Sequence, residues 1–239
     1  MAATSGGSPA AGGDPIIFGV LTVSDRASSG VYADEGGPAI LGFFDEAVAS
    51  ELRFYIYSFF FNLLPLSSPR GNARRTARHF LTLSPLSFPL RWTAIHRIIP
   101  DDRDTIEKEL KSMADEEGCA VIVTTGGTGP APRDVTPDAT AAVCDRLMPG
   151  YGEQMRAISL RAVSTAVLSR QTAGVRGGTL ILNLPGRPRA IRETIDEVWR
   201  SVPYCVDLIG GAYMVMDEGV VRAFRPAGAV RGAAEERRG

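Results

Sequence analysis

The chain has little cysteine and no cysteine framework. Three cysteines occur in 239 residues, and Cys119, Cys144 and Cys205 contain no C-x-x-C pair. An odd number of widely spaced cysteines fits neither a disulfide scaffold nor a zinc site. We therefore expect three buried thiols that act as small hydrophobic side chains in a reducing compartment, the cytoplasm.

Excess charge of one sign is also missing. The formal net charge is −1 at pH 7, which argues against nucleic-acid binding and against a polybasic membrane surface. Residues 1–14 are mostly Ala, Gly and Ser and lack the basic and apolar regions of a signal peptide, so we expect a disordered tail there and another at 227–239. The length predicts one domain over 15–226.

Histidine is scarce, with His79 and His96 alone in the sequence. His96 falls in the middle of an apolar run, which favours a packed or edge-exposed side chain, and no Ser-His-Asp arrangement is credible. The absence of a catalytic histidine is compatible with a metal-assisted transfer whose nucleophile is already an anion.

The most informative positive feature is the run from 121 to 138, VIVTTGGTGPAPRDVTPD. It predicts a buried strand, a glycine-rich turn and a helix with Thr136 as its N-cap. Gly126, Gly127 and Gly129 lack a Cβ, so we expect them to reach positive φ and bring backbone N–H groups close to a phosphate. The run is neither a Walker A loop nor a G-x-G-x-x-G motif.

Two charged residues follow these glycines. The Arg133 guanidinium suits phosphate oxygens, whereas the Asp134 carboxylate would repel a phosphate unless a cation lies between them. The pair therefore suggests Mg²⁺. The alternative is that the glycines only form a tight turn and that both charges are solvated.

The remaining pattern predicts an α/β fold with three layers (αβα) and a mostly parallel central sheet. Apolar runs predict strands, buried on both faces, at 16–23, 93–99, 120–125 and 179–184, and helical patterns cover 38–51, 105–117, 137–147, 152–168 and 189–209. Because parallel strands end at one edge of a sheet, we expect Asp25, Asp101, Asp134 and the 183–186 turn to converge. Taken singly, each could be an ordinary exposed loop residue. The helix start at 188–192, with Arg187 and Arg189, could bind a second phosphate.

Six motifs occur in one order: TVSDRASSG at 22–30, IPD at 99–101, TTGGTGPAPRDVTPD at 124–138, PGYGEQM at 149–155, LSR at 168–170 and NLPG at 183–186. Together they closely resemble the Mog-type molybdopterin adenylyltransferases of the MoaB/Mog family and the G domain of gephyrin-like proteins. The resemblance covers residues 16–226 apart from one insertion.

The resemblance implies a cytoplasmic homotrimer that uses Mg²⁺ and ATP to adenylylate molybdopterin, with release of pyrophosphate, in molybdenum cofactor biosynthesis. It also implies a possible molybdenum insertase (MoeA-like) partner. The family's essential aspartates correspond to Asp101 and Asp134, which we assign to metal and phosphate positioning. A non-catalytic molybdopterin-binding paralogue and a trimeric scaffold domain stay open as alternatives. The implied substrate and nucleotide contacts are Ser24, Asp25, Gly126, Gly127, Thr128, Gly129, Arg133, Ser169, Arg170, Asn183, Pro185 and Gly186.

Residues 52–91 have no counterpart in that family. The segment contains no Asp or Glu and is rich in Phe, Leu, Ser, Pro and Arg. Its apolar run is too short to span a bilayer, and its arginines could bind an anionic partner. We favour a translated intron or an error in the gene prediction, because joining Glu51 to Trp92 restores an ordinary helix-to-strand connection.

Overall fold

The computed structural model describes residues 16–48 and 92–227, which belong to one compact unit. The predicted tail at 1–14, all but the first residue of the one at 227–239, and the predicted insertion at 52–91 lie outside the described residues. Within the described ranges, no helix is long and apolar enough to cross a membrane.

The described strands form one six-stranded sheet in the order β2-β1-β3-β6-β5-β4. The first four strands in this order are parallel, and β5 and β4 add an antiparallel edge. The four predicted strands are therefore confirmed. The other two were missed because runs of four and two residues are too short to show a periodicity. The bounds are β1 Ile16–Val23, β2 Trp92–Ile99, β3 Val121–Thr125, β4 Arg146–Leu147, β5 Ala173–Arg176 and β6 Thr179–Leu184.

The described residues also form seven α-helices, a π-helical turn at Ser112–Glu116 and a 3₁₀ turn at Ser164–Leu168. The helices are α1 Asp25–Ser28, α2 Gly36–Ala47, α3 Arg103–Lys111, α4 Thr136–Val143, α5 Pro149–Leu160, α6 Pro188–Val198 and α7 Val202–Leu208.

Four predicted helices extend too far. The helix predicted at 38–51 ends at Ala47, because Val48 is extended and pairs with Met216 in a β-bridge. The helix predicted at 137–147 ends at Val143, because the following chain turns into β4 and Asp145 N–H bonds to the β5 carbonyl of Val175 over 2.8 Å. The helix predicted at 152–168 ends at Leu160, before the 3₁₀ turn. The helix predicted at 189–209 is two helices, since Pro203 has no N–H for an unbroken helix and α7 restarts around it.

Helices cover both faces of the sheet, which confirms the three layers. On one face α2, α5, α6 and α7 pack on alternate strand side chains such as Phe18 and Val20. On the other face α3 and α4 pack on Leu21 and Val23. The prediction of strands buried on both faces is wrong for β2, which lies at the edge of the described sheet and is only partly buried.

A cluster of aromatic rings lies on the face of the sheet that α2, α5, α6 and α7 cover. Phe18 of β1 stacks on Phe44 of α2 with ring centroids 4.4 Å apart, and Trp199 lies within 5.3 Å of Phe43 and 5.2 Å of Phe44. Phe44 also lies 6.2 Å from the ring of Trp92 at the start of β2. The described residues therefore break off just after α2 and resume at β2 beside one aromatic cluster, at the amino edge of the sheet.

Candidate active site at the carboxyl edge of the sheet

A polar cavity of about 420 Å³ opens where β1, β2, β3 and β6 end. Its lining comes from four separate connections, which parallel topology brings to one edge as the sequence predicted. The lining includes Ser24, Asp25, Asp101, Gly126, Gly127, Asp134 and Gly186.

Two aspartates at this edge lock the ends of β1 and β2 together. The N–H of Asp25 donates to Asp101 Oδ2 over 2.8 Å, and the N–H of Asp101 donates to Asp25 Oδ1 over 3.0 Å. Asp25 also pairs with Arg133. Within the described residues, Asp101 Oδ1 accepts no hydrogen bond and is the carboxylate oxygen nearest a Cβ built on Gly127, at 3.2 Å.

The electrostatics of Asp101 favour a cation. Burial raises the pKa of this carboxyl, and the negative charges of Asp25 and Asp134 raise it further, against the opposing effects of the Asp25 N–H and of Arg133. A carboxylate held in such a place is stabilised by any positive charge that arrives with a ligand.

The glycine loop follows β3 as predicted. Gly126 and Gly127 have φ of 97° and 61°, which only glycine adopts without strain. Gly129 is not in this region, so the prediction for it is wrong. Its missing Cβ serves a different purpose, because an added Cβ would lie 2.7 Å from Asp134 Oδ2.

The helix after the loop begins one residue earlier than predicted. Thr136 is the first residue of α4, and Val135 is the N-cap. The Thr136 hydroxyl instead donates to the carbonyl of Gly126 over 3.0 Å, and its N–H donates to the carbonyl of Gly127. The loop is therefore folded back on the start of α4 and fixed there.

Most of the chain is similar to proteins of one known family. Residues 92–203 match the family described as a probable molybdopterin binding domain. The chain is 44% identical to the molybdopterin adenylyltransferase of Helicobacter pylori over 88% of this chain and 97% of the relative. It is 42% identical to the Escherichia coli protein of that name, over 91% and 97% of the two chains.

The chain belongs to the molybdopterin adenylyltransferase family. Among solved structures, MoaB of Thermus thermophilus is similar with a TM-score of 0.60 and 34% identity, covering 83% of this chain and 99% of that one. The Mog protein of Mycobacterium ulcerans gives 0.59 and 30%, covering 81% and 99%. The chain also matches Drosophila cinnamon at 39% identity, over 26% of the length of that protein. These relatives support a role in molybdenum cofactor biosynthesis.

Two arginines that were predicted to contact the ligand, Arg133 from its place in the glycine loop and Arg170 from the family resemblance, have protein partners here. Arg133 pairs with Asp25 at the mouth of the cavity, with its side chain 66% exposed. Arg170 does not line the cavity. It donates to the carbonyl of Gly129 over 2.9 Å, to the carbonyl of Asp134 and to the carboxylate of Asp138, and so supports the loop from behind.

Five other predicted contacts are also not among the residues that line the cavity, namely Thr128, Gly129, Ser169, Asn183 and Pro185. Asn183 is fully buried and donates to the hydroxyls of Thr124 and Thr140, at 3.0 and 2.9 Å. Ser169 bonds to Gln171. The carbonyls of Thr128 and Pro185 accept bonds from Arg170 N–H and from the Thr125 hydroxyl. These residues shape the loops, and their contact with substrate stays a prediction.

One wall of the cavity, which Arg26, Tyr32 and Asp34 line, was not predicted from the sequence. Tyr32 bonds to the Ser24 hydroxyl over 2.8 Å, and the Arg26 guanidinium lies 5.0 Å from its ring centre. The signal that could have identified this wall is the dense polar sequence between β1 and the Gly36–Gly37 pair, in a loop that the predicted topology places at the carboxyl edge.

The acidic residues fit a magnesium ion that is shared with a ligand. Within the described part of the chain, no three acidic, histidine or cysteine side chains are grouped closely enough to hold a metal ion alone. Mg²⁺ in nucleotide sites is commonly held by one or two carboxylates together with phosphates and water. Asp101, with its unbonded Oδ1, and Asp134 supply such a partial set of hard oxygen ligands.

Proposed function

We propose that this protein catalyses the Mg²⁺-dependent adenylylation of molybdopterin by ATP, with adenylyl-molybdopterin and pyrophosphate as products. The observation that carries the proposal is the Asp101 carboxylate, which is partly buried, lies beside the negative charges of Asp25 and Asp134, and has one oxygen close to the glycine loop. That arrangement disfavours an unaccompanied anion and favours a phosphate that arrives with a cation. The names of the relatives supply the two substrates.

Backbone groups would hold the phosphates. The loop of Gly126 and Gly127 brings main chain to the cavity, and Pro188 and Gly186 bring the start of α6 to the same cavity. Free N–H groups at a helix start favour anions, so two phosphate-binding regions face one space. Arg133 adds positive charge at the mouth.

The carboxylates would hold the metal ion and orient the transfer. Asp101 and Asp134 would ligate Mg²⁺, which when bound neutralises charge on the phosphate oxygens. The Asp25–Asp101 backbone bonds fix the direction of the Asp101 carboxylate before a ligand binds. The phosphate of molybdopterin is already an anion, so no general base is required, in keeping with the lack of histidine in the cavity lining.

We also propose the assembly that the family resemblance implies, namely a cytoplasmic homotrimer that could pass its product to a molybdenum insertase. Within the described residues, the apolar segment 202–216 contributes buried Val202, Val206 and Met214 to the core. Sedimentation equilibrium at micromolar concentration tests the trimer, and a monomer would contradict it.

The activity is tested by pyrophosphate release from ATP in the presence of molybdopterin, with and without Mg²⁺. Asp101→Asn and Asp134→Asn are expected to lose turnover, and Asp45→Asn on the exposed face of α2 is the matched control. Tight binding of molybdopterin by the wild-type protein without pyrophosphate release would favour the non-catalytic paralogue or scaffold.

A further inference from the structure

A buried carboxylate, that of Asp34, lies at the wall of the cavity and has more hydrogen-bond partners than the carboxylates at the mouth. Asp34 Oδ2 accepts from the Thr22 hydroxyl over 2.9 Å and lies 3.1 Å from His96 Nε2. Its Oδ1 accepts the N–H of Gly36 over 2.9 Å, and the N–H of Gly37 lies 3.2 Å from both oxygens. The Asp34 side chain is only 6% exposed.

The packing around Asp34 leaves no spare space. A Cβ built on Gly37 would overlap the His96 imidazole and the Asp34 carboxylate, and one built on Gly36 would lie 2.9 Å from Thr125 Cγ2. Both glycines thus allow α2 to approach the strands closely. A carboxylate only accepts hydrogen bonds, so the proton of His96 must be on Nε2 for it to bond to Asp34.

Asp34 also ends the loop that builds one wall of the cavity. That loop runs from Ser24 through α1 and Tyr32 to Glu35 and includes six of the sixteen residues that line the cavity. One end is fixed by the Asp25–Asp101 bonds. The other end is fixed by Asp34, which ties the first turn of α2 to β1 and, through His96, to β2.

We propose that Asp34 is a positioning residue for catalysis and that His96 acts through it. In this view the Asp34–His96 bond holds the 24–36 loop in the conformation that receives substrate, and neither residue takes part in the chemistry. The expected change in kinetics rests on the proposed adenylyl transfer. The expected effect on the loop conformation rests only on the hydrogen bonds of Asp34.

The kinetic test uses His96→Leu, His96→Gln, Asp34→Asn and the double variant His96→Leu/Asp34→Asn in the full chain. Loss of a hydrogen bond to a charged group changes an equilibrium constant by about tenfold or more. If the loop spends correspondingly less time in the substrate-receiving conformation, kcat/KM should fall about tenfold in His96→Leu. Gln keeps an N–H donor and should restore most of the loss. Thr93→Val, an exposed change on the same strand, should leave kcat/KM unchanged.

The double variant separates action through Asp34 from independent damage. If His96 acts through Asp34, the double variant should be no worse than Asp34→Asn alone. Additive effects would overturn the inference, as would wild-type kinetics in His96→Leu or a loss that Gln does not restore.

Amide hydrogen exchange supplies a readout that needs no turnover. In the unliganded protein, Gly36 and Gly37 N–H should exchange faster in His96→Leu than in wild type or Thr93→Val, whereas the amides of β3 should be unchanged. Unchanged exchange at both glycines would overturn the positioning role. If wild type releases no pyrophosphate, the proposed function fails while the exchange experiment still decides the positioning role.

Discussion

Two acidic regions border the same cavity and differ in how completely their carboxylates are bonded. At the mouth, Asp101 lies beside Asp25 and Asp134, its pKa is raised, and one of its oxygens accepts no bond within the described residues. At the wall, both oxygens of Asp34 are occupied by N–H and O–H donors or by His96.

This difference teaches which carboxylate is available to a ligand. The buried charge of Asp34 is stable because donors surround it, whereas the partly buried charge of Asp101 is costly because the like charges of Asp25 and Asp134 lie beside it. The Asp101 carboxylate at the mouth can therefore still bind a cation. Both oxygens of Asp34 at the wall are already bonded to groups that hold the loop in place. The predictions below test this contrast, starting with the largest expected effect.

Asp101→Asn should abolish the proposed adenylyl transfer while leaving the fold intact. The amide keeps an oxygen that can accept the Asp25 N–H, but it removes the charge, so we expect pyrophosphate release to fall about 100-fold or more. Steady-state kinetics at saturating Mg²⁺ measure the loss, and circular dichroism checks the fold. Turnover near that of the wild type would show that the unbonded carboxylate is not the functional one.

Gly37→Ala should damage the wall through packing. The new methyl group would meet the His96 ring and the Asp34 carboxylate, so we expect a loss of about 1–3 kcal/mol in the free energy of unfolding. Gly42→Ala on the same helix is the control, since an added Cβ there meets nothing within 4 Å, and it should stabilise by about 0.5–1 kcal/mol. Equal effects in urea unfolding would contradict the tight packing at Asp34.

The pH dependence of stability should distinguish Asp101 from a stabilising carboxylate. Because its pKa is raised in the folded protein, the ionised group opposes folding at neutral pH, and this cost disappears as pH falls through the raised pKa towards the ordinary value of 3.8. Asp101→Asn should therefore be more stable than wild type at pH 7, with the two converging in acid. Urea unfolding across that pH range measures the difference. A variant that is less stable than wild type at pH 7 would show that the ionised Asp101 carboxylate stabilises the fold.

Arg133→Ala should change stability little, because its bond to Asp25 is exposed. We expect the free energy of unfolding to fall by less than about 1 kcal/mol, and by less still at high salt. Arg189→Ala, with a side chain 90% exposed and paired within α6, is the matched control. The pKa of Asp101 should also rise in Arg133→Ala, because Arg133 lowers it. A large loss of stability would mean that the Arg133–Asp25 pair is structural.

Deletion of residues 52–91 should have the smallest effect on specific activity. The segment joins β2 at Trp92, at the opposite end of the strand from Asp101, and both acidic regions lie towards the other edge. Joining Glu51 to Trp92 should improve soluble yield and leave turnover within a few-fold, as measured by expression and pyrophosphate release. Loss of folding or turnover would show that the segment belongs to the working structure.

The sequence by itself determined the frame of the protein. Runs of β-branched and aliphatic residues predicted the four parallel strands, and the handedness of their connections placed Asp25, Asp101 and Asp134 at one edge. The same reasoning located the glycine loop, because positive φ at Gly126 and Gly127 is a local property of residues without a Cβ. These features depend on local preference and on chain order, both of which a sequence contains.

Only the tertiary structure decided which partner each polar side chain takes. Arg170 donates to a carbonyl of the glycine loop, and Asn183 donates to the Thr124 hydroxyl in the core. The bond between Thr22 and His96 joins residues 74 positions apart. The end of α4 was also decided by β5, which offered the backbone of Asp145 a strand partner. Such choices depend on which donors and acceptors lie within about 3 Å after packing, and no local pattern records that competition.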